Sequence, residues 1–211
     1  LRLNTALFYT QYDDRQLVGI GVNPTNGTIA SVTNNAAKSS IAGIEMEALW
    51  LPVNNLEITF NAAFNEGDIE EFDDVTVAVV GELPAQDCVL VEIGPTRFVD
   101  GCNVDRSDED LPGLPKQVYY VAVQYLFVTG YGSVTPRVDV TYKKDINGCL
   151  DYASCQWQGG KGTEFDIYSL NARLTWLSQD QKIRVTAYGN NLTDNQANSA
   201  SLPLIGSTES W

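Results

Sequence analysis

Two glutamates, Glu45 and Glu47, are the pair whose residue type and spacing come closest to a catalytic arrangement. In an extended strand, residues two apart point to the same face, so these carboxylates would share one surface. That surface suits a paired-carboxylate site, but it also suits a polar strand face that lines a lumen and binds no substrate. We favour the second interpretation. The chain has no histidine, which removes histidine-based triads and most zinc sites. The sequence therefore predicts no catalytic residue, no metal site, no cofactor and no enzymatic activity.

Four cysteines form two local pairs, Cys88 with Cys102 and Cys149 with Cys155, in polar segments between strand patterns. Four cysteines allow three connectivities, and the sequence alone does not choose among them. We expect the local pairing, because each bond would then close one long connection outside the sheet. Neither pair has the C-x-x-C spacing of a metal site. Disulfide bonds at these positions indicate an oxidising compartment.

The strongest pattern in the chain is an alternation of apolar and polar residues, which gives each strand one apolar and one polar face. It is clearest over residues 133–142 and 56–65. Runs of about 9–11 residues suit tilted strands that cross a bilayer, with lipid on one side and a wet lumen on the other. The predicted strands cover residues 1–17, 40–52, 55–70, 116–127, 132–145, 165–178 and 181–194.

The connections between these strands alternate between short and long. The short turns, which are rich in Asn, Gly and Asp, are 52–55, 128–132 and 178–181. The long connections are 18–39, 71–115, 146–164 and the segment after 194. Outer-membrane barrels alternate in this way, with short periplasmic turns and long extracellular loops. The predicted fold is therefore all-β, an antiparallel up-and-down transmembrane β-barrel segment with about seven strands of a larger barrel.

The same alternation assigns side chains to the two faces of the sheet. The residues expected to face the lumen are Glu45, Glu47, Asn61, Arg137, Asp139, Arg173 and Arg184. The residues expected to face lipid are Ile58, Phe60, Ala62, Val138, Val140, Leu174 and Val185. Aromatic residues collect near both ends of the strands, as in the interfacial belts of membrane barrels. Burying the two glutamates in a dry core would be costly, which favours a water-filled lumen.

The charge of the chain is strongly acidic, with 27 Asp and Glu against 13 Lys and Arg and a net charge of −14. Much of the excess lies between Asp68 and Asp110. We interpret this segment as a solvated loop, with attraction of cations to its surface as the alternative. An acidic chain disfavours nucleic acid as a partner, because nucleic-acid binding requires basic contacts to phosphate.

Four stretches follow one another in a recognisable order. They are residues 1–17, the Asn-to-GxExE stretch 35–47, the Leu-Pro-Gly-Leu-Pro-Lys stretch 111–116, and residues 185–195, which contain Asn-Leu-Thr-Asp. In that order they resemble a late strand, the return from the next loop, the lead-in to a later strand and the penultimate strand of TonB-dependent outer-membrane receptors. Each motif is weak alone, but the ordered set covers essentially the whole chain.

The resemblance implies that residues 1–211 form a partial outer-membrane β-barrel domain from the C-terminal part of such a receptor. Family members hold an N-terminal plug inside a barrel of roughly 22 strands, and the TonB complex drives uptake of a scarce nutrient through that plug. The implied ligand is a ferric siderophore, haem, vitamin or glycan. The implied surroundings are the bacterial outer membrane, its lipid and its lipopolysaccharide.

We expect the plug and the last strand of the barrel to lie outside this chain. The first and last strands should then have open hydrogen-bonding edges, because a functional barrel leaves no unpaired strand in lipid. The alternative is a secreted β-sandwich that serves as an adhesion or glycan-binding module and is stapled by two disulfides. A sandwich would pack the apolar face against a second sheet, so the surroundings of that face distinguish the two hypotheses.

Overall fold

The computed structural model describes residues 1–22, 29–79, 88–94, 97–105, 107, 110–147 and 164–196. No helix in these ranges is long and apolar enough to cross a membrane. The strands are β1 Arg2–Val22, β2 Ile29–Trp50, β3 Leu56–Glu71, β4 Asp73–Val79, β5 Cys88–Gly94, β6 Arg97–Asp105, β7 Pro115–Tyr125, β8 Phe127–Thr129, β9 Gly132–Asn147, β10 Glu164–Ser178 and β11 Arg184–Gly189.

The main sheet is open and runs in the order β1-β2-β3-β7-β9-β10-β11, with the short strand β8 also paired to β9. All of its neighbouring strands are antiparallel. This up-and-down order confirms the predicted fold class. Within the described ranges β1 and β11 form the two ends of the sheet and do not pair with each other, so the expected open edges are present.

The short turns that join the long strands contain residues with a positive φ angle, a conformation that most side chains disfavour. Asn55 has a φ of 68° and Gly132 a φ of 125°, and both residue types tolerate this region better than most. A Cβ atom on Gly132 would also lie 2.1 Å from the carbonyl oxygen of Leu177. Glycine is therefore required at this turn for both conformation and space.

Two of the predicted long connections contain strands. β1 and β2 continue past the predicted strand ends, with pairs from Gln16 with Asn35 to Val22 with Ile29. The 71–115 connection contains a separate three-stranded sheet in the order β4-β6-β5. Both segments are rich in Val and Ile, which favour strands, although they lie between the strands that the alternation predicts.

The last predicted strand is shorter than expected and ends at Gly189 rather than at 194. Asn191 and Asp194 have φ angles of 48°, which ends the extended conformation. The Asn191 side chain donates to the Asn195 carbonyl at 3.1 Å and accepts from the Asn195 amide at 3.1 Å. The Asn-Leu-Thr-Asp motif is therefore a turn closed by its own asparagine, a role for which short polar side chains are suited.

A small apolar cluster lies at the end of β3 remote from the short turns. Ile69, Phe72 and Leu111 are almost fully buried, and the partly exposed Ile41 and Leu114 pack against them. The Leu111 amide donates to the Gly67 carbonyl at 2.9 Å, which continues the β3 pairing beyond the start of β7. The cluster fixes the lead-in to β7 against the sheet.

Candidate functional site: the two faces of the sheet

One face of the main sheet is apolar across all its strands. The strand register puts all seven residues predicted to face lipid on this face, because Ile58 pairs with Val123 and Val123 with Val138. The exposed fractions of Val138, Leu174 and Val185 are 48%, 50% and 57%. No second sheet covers these side chains within the described part of the chain, as a β-sandwich would require. An exposed apolar surface of this extent is typical of an interaction or membrane surface.

Aromatic residues border this apolar face at both ends of the strands. Toward the long connections, Tyr119, Tyr142 and Tyr168 form a direct cross-strand row on β7, β9 and β10. Phe64 packs against Tyr119 edge to face, with ring centroids 5.8 Å apart. Toward the short turns, the rings of Tyr125 and Phe127 lie 4.5 Å apart. Aromatic belts at both interfaces are characteristic of barrels that span the outer membrane.

The distance between the two aromatic borders is close to the height of the apolar band of a membrane barrel and about 5 Å shorter than it. On β9 the apolar positions run from Val134, which pairs with Trp176, to Tyr142. This is about 27 Å along the strand and about 20 Å along the membrane normal at a tilt of about 40°. The apolar band of outer-membrane barrels is about 25 Å tall. Both ends of β9 extend beyond this band.

The opposite face of the sheet is polar. All seven residues predicted to face the lumen lie on it, because Glu47 pairs with Asn61, and Arg137 pairs with Arg173. The Asn4 side chain on β1 donates to the Glu47 carboxylate at 3.4 Å, so this glutamate contacts a neutral amide. That the polar face lines a lumen remains a prediction.

A hydrogen-bonded network lies on this polar face and centres on Arg137. Its guanidinium donates to Gln124 Oε1 at 3.1 Å and to Tyr120 Oη at 2.6 Å. The Arg137 Nε atom lies 3.6 Å from Asp139 Oδ1, and the other Asp139 oxygen accepts from Asn171 Nδ2 at 2.8 Å. The Arg137 and Asp139 side chains are each 19% exposed, which reduces solvent screening of their attraction.

Asn171 connects this network to the end of the sheet. Its Oδ1 atom accepts from the Ser169 hydroxyl at 3.2 Å and from the Asn191 amide at 2.9 Å. The network therefore reaches the turn that ends β11. Tyr120, Gln124 and Asn171 were not among the residues predicted to face the lumen, although their alternate positions place them on the polar face of the predicted strands.

The structure describes the backbone of one of the two predicted cysteine pairs. Cys88 and Cys102 are direct partners in the antiparallel pairing of β5 with β6. Direct partners have Cα atoms about 4.5–5.5 Å apart, a separation that a disulfide can bridge. Cys149 and Cys155 lie outside the described residues. The disulfides remain predictions.

The described residues contain no group of three or more His, Cys, Asp or Glu side chains that could hold a metal ion. Glu45 and Glu47 lie on the polar face of β2, two residues apart. The polar face presents hydrogen-bonding groups and charges, which are held in place by the network around Arg137.

A family model described as TonB dependent receptor-like, beta-barrel, matches residues 1–192. No curated protein and no solved structure is significantly similar to the chain. The match covers every strand of the main sheet.

Proposed function

Because the chain belongs to the TonB-dependent receptor β-barrel family, we propose that it forms part of an outer-membrane transporter for active uptake of a scarce nutrient. The family resides in the bacterial outer membrane, and its barrels serve transport. In this proposal residues 1–211 form one partial barrel domain, and other strands of the receptor cover the open edges of β1 and β11. A plug inside the barrel contacts the TonB complex, which supplies the work of transport.

The observation that carries the proposal is the difference between the two faces of one sheet. The apolar face is exposed at Phe60, Val138 and Leu174 and has aromatic residues along both of its borders. The polar face carries the network around Arg137. A single sheet with an apolar face toward lipid and a polar face toward water is the arrangement of a transmembrane barrel wall.

The nutrient is one of the classes that the resemblance implies, a ferric siderophore, haem, a vitamin or a glycan. No catalytic step is part of this function. The polar face supplies hydrogen-bond donors, acceptors and charges along the path of the solute, and outer-membrane lipid with lipopolysaccharide surrounds the apolar face.

Uptake by cells that express the full-length receptor tests the proposal. The probes are labelled ferric siderophores, haem, vitamin B12 and a short glycan, each given to cells with the receptor, without it, and with the receptor but without TonB. We expect one probe class to accumulate only when receptor and TonB are both present. Equal accumulation of every probe in all three strains would contradict the proposal.

A further inference from the structure

Two arginines are direct neighbours on the polar face. Arg137 on β9 and Arg173 on β10 are opposite each other in the antiparallel register. Like charges directly opposite on a sheet destabilise it. Asp139 lies beside Arg137 at 3.6 Å, so it balances one of the two positive charges.

Arg173 differs from Arg137 in its surroundings. Arg137 has Gln124, Tyr120 and Asp139 as partners, and these fix its guanidinium. Arg173 is exposed and makes no ion pair or hydrogen bond with the described part of the chain. Its five N–H donors are therefore available to a solute.

A hollow of about 530 Å³ lies at this pair, with Tyr120, Arg137, Asp139, Asn171, Arg173 and Tyr188 among its lining residues. Tyr188 on β11 is the direct cross-strand partner of Arg173, and its side chain is 73% exposed. Two arginines and one aspartate leave one net positive charge in the hollow. Hydroxyl and amide groups surround that charge, which suits a small anionic group.

We propose that this hollow is an anion-binding subsite that takes the phosphate or carboxylate group of a small solute. Arg173 makes the charged contact, because guanidinium groups bind carboxylates and phosphates through paired hydrogen bonds. Arg137 adds positive electrostatic potential beside Arg173, and its own hydrogen-bond partners hold its guanidinium in place. Asp139 limits the net charge of the hollow to one, so a singly charged group fits better than a multiply charged one. The proposal deepens the transport function and rests on the polar face lining the lumen.

The test uses the full-length receptor in detergent micelles, with inorganic phosphate as the probe at constant ionic strength. Isothermal titration should show saturable binding to the wild-type protein. The variant R173Q should weaken it roughly tenfold or more, the loss expected for a hydrogen bond to a charged group. R184Q is the matched control, because Arg184 is an exposed arginine on the same face but does not line the hollow.

Absence of saturable phosphate binding to the wild-type receptor would overturn the proposal. Equal losses in R173Q and R184Q would also overturn it, since they would reflect the general charge of the wall. Uptake of the nutrient, measured in the same strains, separates this failure from failure of the transport function. A receptor that transports in a TonB-dependent manner but binds no phosphate refutes the subsite alone.

Discussion

A lysine at position 138 should destabilise the barrel, because it places a charge at the middle of the apolar band. Val138 is four residues from Tyr142 and four from Val134 on β9, so it lies near the bilayer midplane. Its side chain is 48% exposed, so little packing is lost on substitution. A lysine or arginine at the midplane of a membrane barrel costs about 2–4 kcal/mol. This corresponds to about a 30- to 1000-fold change in the folding equilibrium.

The measurement is reversible denaturant unfolding of the full-length receptor reconstituted in lipid vesicles. The matched control is T135K, because Thr135 lies on the same strand but on the polar face. We expect V138K to lower the free energy of unfolding by about 2–4 kcal/mol, V138D to lower it by less, and T135K to change it little. Equal effects of V138K and T135K would refute the assignment of the apolar face to lipid.

Three further predictions concern the β5–β6 pair, the apolar cluster beside β3 and the turn after β10. Non-reducing peptide mapping should recover a Cys88–Cys102 disulfide, closing a loop that contributes roughly 3 kcal/mol in the chain-entropy model, whereas four free thiols would contradict it. The variant G67V should cost about 1–3 kcal/mol and increase hydrogen exchange at the Leu111 amide, because even a Cβ atom on Gly67 would lie 2.5 Å from Leu114 Cδ2 and 2.9 Å from Leu111 Cδ1; unchanged exchange at that amide would contradict it. The Ser178 hydroxyl, followed by the Lys182 amide, lowers the pKa of Asp180 below its ordinary value of 3.8. The stabilisation of the turn by the Asp180 carboxylate is then present above that value and is lost as the pH falls through the lower folded pKa; the protection of the Lys182 amide from exchange, relative to its intrinsic rate at each pH, should fall over that acidic range in the wild type and not in D180N.

The strands that cross the apolar band were predictable because the bilayer restricts them on one face. The prediction for β9 was 132–145 and the strand is Gly132–Asn147. Between Val134 and Tyr142, alternate residues face lipid and the others point away from it. The hydrophobicity of these residues therefore predicts both the extent of the strand and the face on which each side chain lies. A shift of one residue in the strand register would move every apolar side chain to the polar face. The assignment of side chains to faces is therefore unambiguous in this part of the sequence.

The segments beyond the band were not predictable in the same way. At 18–22 and 29–39 the hairpin continues beyond the predicted strand ends and outside the apolar band, so lipid no longer fixes which residues must be apolar. The β4–β6 sheet similarly depends on pairing within one connection. Composition favours a loop there, and local β-propensity favours strands, so the sequence supports both interpretations until the pairing is known.

The polar network around Arg137 shows a second limit of sequence reasoning. Alternation placed Arg137, Asp139 and Arg173 on one face, but it did not show which of them are partners. The antiparallel register decides this, since it puts the two arginines opposite each other and brings Asn171 beside Asp139. Both arginines line the hollow; within the described part of the chain Arg137 has Asp139 as its carboxylate partner, so the charge of Arg173 is the one left unbalanced there. The apolar face requires only hydrophobicity for its role, whereas the polar face depends on individual partners, so in the proposed transporter the residues that select a solute belong to the polar face.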